Sequence, residues 1–208
     1  MTAPRLSLPL ALVACLCVAS ARVDAARPGE PAPGFSLVDT HGAARTLAEF
    51  SGKYVVLEWH NFGCNYVKKH YAGNMQRLQK EFTAKGVVWL TVISSAPGQQ
   101  GYFKPEEANG YVKDRGAAPT AVLLDGNGEV ARLFEVKTTP QVFLVSPEGQ
   151  VIYTGAVDSK PTIDADDIPT ATNYLAAALA DALAGRPVTT PMTRPYGCSI
   201  KFAPGAAF

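Results

Sequence analysis

Cys64 stands in the stretch "WHNFGCNYVKKHY", between the apolar run "KYVVLEW" and a basic segment with helical spacing of its apolar residues. A thiol at the end of a buried strand and the start of a helix is placed to react. Free N–H groups and partial positive charge at a helix start favour thiolate over thiol, and thiolate is the nucleophile. Lys68, four residues on, falls on the same helical face, and His60, Lys69 and His70 add further basic groups nearby. The plain alternative is a buried, inert cysteine. Three residues after Cys64 stands Val67, so dithiol exchange between adjacent cysteines is excluded.

The other cysteines are Cys15, Cys17 and Cys198. Residues 1–25 read as a secretory signal peptide: Arg5, the apolar core "LSLPLALVACLCVAS", then small residues in "ASARVDAA". The core is too short for a spanning helix. Cleavage could follow Ala21, Ala25 or Ala26. A retained anchor is one alternative. Another is a lipoprotein-like box, "LVAC", ending at Cys15, and a membrane partner is expected only if that cysteine is lipidated. The apolar run continues through Ala19, which argues against it. The chain is therefore expected to be exported, to a periplasm or the extracellular space. Removal of the peptide takes away Arg5, Arg22 and Asp24 and leaves a formally neutral chain with two cysteines, Cys64 and Cys198. In an oxidising compartment these are one bridge or two independent thiols.

Composition bounds the rest. The chain has 208 residues, 47% hydrophobic and 18% charged, with formal net charge +1. That describes a globular domain with an extension, and it lacks the basic bias that a nucleic-acid partner would call for. No C-x-x-C or H-x-x-x-H ligand pattern occurs, so neither metal nor cofactor is expected.

The elements that must position Cys64 follow from pattern. "KYVVLEW" and "VVWLTVIS" read as buried strands, "FSLVD" and "TAVLLD" as further strands, and "QVFLVSPEGQVIYTG" as a hairpin. "HGAARTLAEF" reads as a turn and a short helical turn. After Cys64, Val67, Tyr71, Met75, Leu78 and Phe82 predict one helix to about Lys85, capped by Gly86. Short helices are predicted from Pro105 to Lys113 and in "GEVARLFEV", and a closing helix in "TNYLAAALADALAG". The order predicts an α/β fold, a mixed sheet with helices on both faces. The domain is expected over residues 26–185, with a tail over 186–208. The aspartates of "DSKPTIDADD" read as a solvated loop.

The pieces "PGEPAPGFSLVDTHG", "GKYVVLEW", "GCNYVKKHY" and "VKTTPQVFLVSPEGQVIYTG" come in an order that resembles the thioredoxin-like superfamily. Within it they are similar to the exported redoxin and peroxiredoxin-like group, commonly placed with the alkyl hydroperoxide reductase and thiol-specific antioxidant family. The resemblance implies a thioredoxin-like fold. It implies that "TTPQVF" is the cis-proline loop, with Thr139 and cis Pro140 packed against the active cysteine. It also implies a buried acid, Glu58, under Cys64, with a raised pKa and a role in proton relay. Thr139, Pro140, Trp59, Asn65 and Tyr66 are the candidate substrate walls. The peroxiredoxin pattern P-x-x-x-[ST]-x-x-C meets Leu57 and Asn61 here, so the residue that helps position peroxide is absent.

The tail segment "TRPYGCSIKF" is too rich in large side chains for a solvated end, and is expected to pack back onto the domain. Cys198 would then be the resolving or disulfide partner of Cys64. An intermolecular bridge, a metal thiolate or an unpaired thiol remain as alternatives. The expected function is an exported thiol oxidoreductase or antioxidant. Its catalytic residues would be Cys64, Cys198, Glu58 and Lys68, acting on a protein disulfide or thiol, or on a hydroperoxide, with an external reductant. The alternatives are a peroxiredoxin-like peroxidase and a non-enzymatic binding module with a structural disulfide.

Overall fold

The computed structural model describes residues 26–205; the signal-peptide reading, with Cys15 and Cys17, lies outside the described residues. Its centre is β3 (Val55–His60), flanked by β4 (Val88–Ile93) and β7 (Gln141–Val145). Every residue of these three strands is buried, as continuous apolar, β-branched runs require of central strands. The sheet runs β2-β1-β5-β4-β3-β7-β8, with β1 (Ser36–Asp39), β2 (Ala44–Thr46), β5 (Ala121–Leu124) and β8 (Val151–Gly155). β3, β4 and β5 are parallel to one another; β7, β8, β1 and β2 join antiparallel. The mixed sheet agrees with the expectation from sequence, except that a three-residue strand, β2, precedes the 3₁₀ turn Leu47–Phe50.

Alternation along β3 sorts its side chains onto two faces. Val55, Leu57 and Trp59 join a core with Val130 and Ala131 of α4 (Glu129–Leu133) and with Phe134, which caps its C-terminal end. Val56 faces the other core, with Cys64, Val67, Met75, Leu78, Leu175 and Leu179. That second core is covered by α1 (Asn65–His70), α2 (Asn74–Thr83) and α5 (Tyr174–Leu183). A smaller cluster of Phe62, Ile93, Ala108 and Val122 sits under α3 (Pro105–Asp114).

The single helix expected after Cys64 is two. α1 ends at His70, and the chain turns through Tyr71–Gly73 before α2 begins. Gly73 has φ +126°, a backbone conformation that side chains rarely adopt, which sets the break there. Val67 is 1% exposed, so the position of an adjacent second cysteine is core.

The tail packs back as expected. Thr154 N donates to Pro191 O and Thr193 N to Thr154 O, both at 3.1 Å, which ties the tail to β8. Further on, β9 (Cys198–Ser199) pairs antiparallel with β6 (Thr138–Thr139). Ala96 N then donates to Lys201 O at 2.8 Å, and Ile200 and Phe202 pack on the first core.

Candidate active site

Cys64 is the N-cap of α1 and has no exposed surface. Its backbone N donates to Asn61 O at 3.0 Å, and its O accepts from Lys68 N at 2.9 Å. Asn61 is buried and builds the turn: its Oδ1 accepts from Gly63 N at 2.8 Å, and its Nδ2 donates to Gln100 O at 3.1 Å and Ser95 Oγ at 3.3 Å. The Cys64 thiol donates to Thr139 O at 3.1 Å, and the Thr139–Pro140 bond is cis.

Thr139 faces the tail as well. It is the register partner of Cys198, and its Oγ1 donates to Cys198 O at 3.4 Å. The Cys198 thiol lies close enough to the Cys64 sulfur and to the Asn65 backbone N–H for both to act on its proton. Cys198 is half-buried where Cys64 is fully buried, and both are free thiols. Burial pushes the Cys198 thiol up to about 11, and the adjacent Cys64 sulfur adds to that shift. The close approach of tail and loop is built into the sequence. Gly197 has φ +147°, and a Cβ there would overlap the Thr139 carbonyl.

The basic groups around Cys64 behave differently from the expectation. Lys68 is exposed, and its contact with Cys64 is through the backbone. Lys69 is instead buried, with Nζ 3.2 Å from Asp158 Oδ2 and 2.7 Å from Lys160 O. Burial lowers His70 to about 4, so it is neutral at physiological pH. Its ring bridges Tyr196 Oη at 3.3 Å and Asn74 Nδ2 at 3.0 Å. Tyr196 donates a short hydrogen bond to Asp158. Asp158 thus anchors the tail two residues before Cys198. The solvated-loop reading of "DSKPTIDADD" fails at this residue, which is 2% exposed.

Glu58 is fully buried, but not as a protonated acid. Trp89 Nε1 (2.8 Å), Tyr71 Oη (2.9 Å), Gln79 Nε2 (3.3 Å) and Thr91 Oγ1 (3.3 Å) donate to its carboxylate, and His60 Nδ1 lies 3.1 Å away. Burial alone would raise its pKa. The hydrogen bond and charge of His60, with the Trp89 and Tyr71 donors, outweigh burial and hold it below the usual range. The expected raised pKa is therefore corrected.

Among the expected substrate walls, Thr139 and Pro140 lie at the cysteines, and Tyr66 stacks edge-on against Tyr196 at 5.7 Å. Asn65 is exposed beside Cys198. Trp59 is corrected: it points to the opposite face, fully buried against Phe134 and Phe143, with Nε1 donating to Ser94 Oγ at 3.1 Å. Sequence reasoning missed Asp158 and Tyr196. A tyrosine two residues from a candidate cysteine, in a segment expected to pack back, was the available signal.

Comparison with known proteins concerns the domain that carries Cys64. A family model described as "AhpC/TSA family" matches residues 28–154, a segment that stops short of the tail. Thiol-disulfide oxidoreductase ResA of Bacillus subtilis is 30% identical over 126 residues, 60% of this chain. The chain spans 64% of the length of that relative. An uncharacterized conserved protein from Geobacillus kaustophilus matches with a TM-score of 0.73 and 27% identity, covering 87% of this chain and 95% of that one. A hypothetical protein from Sinorhizobium meliloti matches with a TM-score of 0.72 and 23% identity, covering 88% and 98%, a likeness of fold.

Proposed function

The chain belongs to the AhpC/TSA family, and from that premise we propose that it is a thioredoxin-fold thiol oxidoreductase working through a Cys64–Cys198 dithiol/disulfide pair. The observation that carries this reading is the approach of the two cysteines at Thr139, whose carbonyl accepts the Cys64 thiol and whose strand partner is Cys198. Similarity to a thiol-disulfide oxidoreductase supports the reaction class. The apolar N-terminal core followed by small residues supports export, where such a bridge persists.

In the forward half-reaction the Cys64 thiolate attacks one sulfur of a disulfide. The substrate S–S bond breaks, one thiolate leaves, and a mixed disulfide forms on Cys64. The Cys198 thiolate then attacks the Cys64 sulfur, releases the second thiolate and closes Cys64–Cys198. Glu58 serves as a fixed buried charge below α2 rather than as a proton carrier, because its carboxylate is already ionised and held by several donors. Lys68 supplies an exposed cation one helical turn from Cys64.

Full burial of Cys64 favours a second reading, a small hydroperoxide as oxidant. Cys64 thiolate would take the terminal peroxide oxygen, an alcohol would leave after protonation, and Cys198 would displace water from the sulfenic acid. Against it, Asn61 is committed to the turn before Cys64 and stands where a peroxide-positioning threonine or serine would.

The test is oxidation of the purified protein with diamide or hydrogen peroxide, followed by thiol counting and peptide mapping. The expected result is a monomer carrying a Cys64–Cys198 linkage, with disulfide-reducing turnover lost in Cys64→Ser. Two thiols that stay free, or turnover unchanged in Cys64→Ser, would discard the reading.

A further inference from the structure

Tyr196, two residues before Cys198, lies on α1, the same helix that Cys64 caps. Its ring meets Tyr66 edge-on at 5.7 Å, and Lys69 Nζ lies 5.7 Å from its centroid. Its hydroxyl sits between two buried side chains, His70 and Asp158. The direction of these bonds follows from the groups behind them. Asn74 Oδ1 accepts from Asn173 Nδ2 at 3.2 Å and from Arg77 Nη2 at 3.3 Å, so its Nδ2 faces His70 Nδ1 at 3.0 Å. An amide nitrogen only donates, so Nδ1 accepts and neutral His70 carries its proton on Nε2. Nε2 then donates to Tyr196 Oη at 3.3 Å, and Tyr196 donates a short hydrogen bond to Asp158 Oδ1. Asp158 is itself fixed, with Oδ2 3.2 Å from Lys69 Nζ and Oδ1 accepting from Lys160 N at 2.9 Å. Only Gly197 separates Tyr196 from Cys198, and a Cβ there would overlap the Thr139 carbonyl, so there is no slack between anchor and thiol.

We propose that Tyr196 is a positioning residue for Cys198: its hydroxyl, held between His70 and Asp158, docks the tail thiol beside Cys64 in the reduced protein and thereby sets the equilibrium of the Cys64–Cys198 couple. This rests on the couple proposed above. Against glutathione disulfide, the two protein thiols are oxidised and one S–S bond forms between them. The S–S bond of glutathione breaks, and the two protons pass to its two thiols. With the tail already docked, closing the bridge orders little further chain. With the tail loose, closure must first dock it, and that cost lowers the equilibrium constant by the fraction of molecules left undocked. The hydroxyl uses both its donor and its acceptor here, so its removal leaves the Asp158 carboxylate and the His70 N–H each short of a partner.

Wild type and Tyr196→Phe are equilibrated in glutathione buffers of graded poise, quenched in acid and analysed by mass for the intramolecular linkage. Tyr196→Phe keeps a ring against Tyr66 and loses both hydroxyl bonds. It should lower the equilibrium constant about tenfold, the scale of a hydrogen bond to a charged group. Hydrogen exchange of the reduced proteins is read alongside. The Ala96 amide, which donates to Lys201 O of the tail, should exchange faster, and the β3 amides should not change. If the wild type bridges and Tyr196→Phe has the same equilibrium constant, the inference is overturned while the dithiol reading stands. A fall in the constant with the Ala96 amide still fully protected also overturns it, because docking would not be what the hydroxyl sets. A fall matched by equal acceleration of the β3 amides does the same, since the domain and not the tail would have been loosened. If the wild type forms no linkage in any buffer, the dithiol reading fails and takes this inference with it.

Discussion

Thr139 and Cys198 are register partners in a two-residue ladder, and the carbonyl of that same Thr139 accepts the Cys64 thiol at 3.1 Å. One residue therefore meets both cysteines, the Cys64 sulfur with its carbonyl and the Cys198 backbone through its strand pairing and hydroxyl. The tail is consequently part of the site, although the family match ends well before it.

Closing the Cys64–Cys198 bridge should stabilise the fold. A closed loop of about 134 residues corresponds to on the order of 4–5 kcal/mol in the chain-entropy model, less any strain. Denaturant midpoints of the oxidised and dithiothreitol-reduced protein measure it. Equal midpoints would show that the two cysteines do not bridge.

Tyr196→Phe should free the tail without unfolding the domain. It removes a hydrogen bond to the Asp158 carboxylate and one to His70, a local loss of about 1–3 kcal/mol. The amides of Ala96 and Thr154, which donate to tail carbonyls, should exchange faster, and those of β3 should not change. Uniform acceleration across the sheet would instead indicate global destabilisation.

The bridging step should accelerate with pH. Burial raises Cys198 to about 11, so its thiolate fraction, and the rate of its attack on oxidised Cys64, should climb about tenfold per unit of pH up to that value. The sign for stability is opposite. The folded state keeps this proton longer than the unfolded chain does, so its contribution is complete below the ordinary thiol range and declines as pH rises toward 11. Stopped-flow fluorescence of the reduced protein after an oxidant pulse reads the first trend; a rate that is flat between neutral pH and 10 contradicts it.

Glu58→Gln should cost stability far more than chemistry. The amide cannot accept from all of the Trp89, Tyr71, Gln79 and Thr91 donors that now converge on the carboxylate, so at least one buried polar group loses its partner, a loss of about 1–3 kcal/mol. Turnover per folded molecule should remain within about threefold of wild type, the scatter expected of contacts that do not enter the transition state. A collapse of turnover with an unchanged midpoint would restore the proton-relay role.

The central strands were legible because β3, β4 and β7 carry short β-branched and aromatic runs with large apolar side chains at successive positions, as a buried central strand does. Cys64 was legible for the same reason: the strand ends and a helix begins at that point. The break at Gly73 was hidden because the spacing of Val67, Tyr71, Met75 and Leu78 runs unbroken across it. Trp59 was misplaced by reading proximity along the chain. Period-two alternation puts it on the face opposite Glu58. Asp158 could not be read at all, since its partners Lys69 and Tyr196 lie 89 and 38 residues away.

The glycine at 197 fixes a competition. Because β9 is tethered through α5 to the sheet it docks on, it meets Thr138 and Thr139 at the millimolar effective concentration typical of short linkers. A peptide seeking that edge must first displace the tail, so its apparent affinity is weakened by the tail's own docking equilibrium. What an extended chain meets beside Cys64 is thus an occupied strand position rather than a free edge.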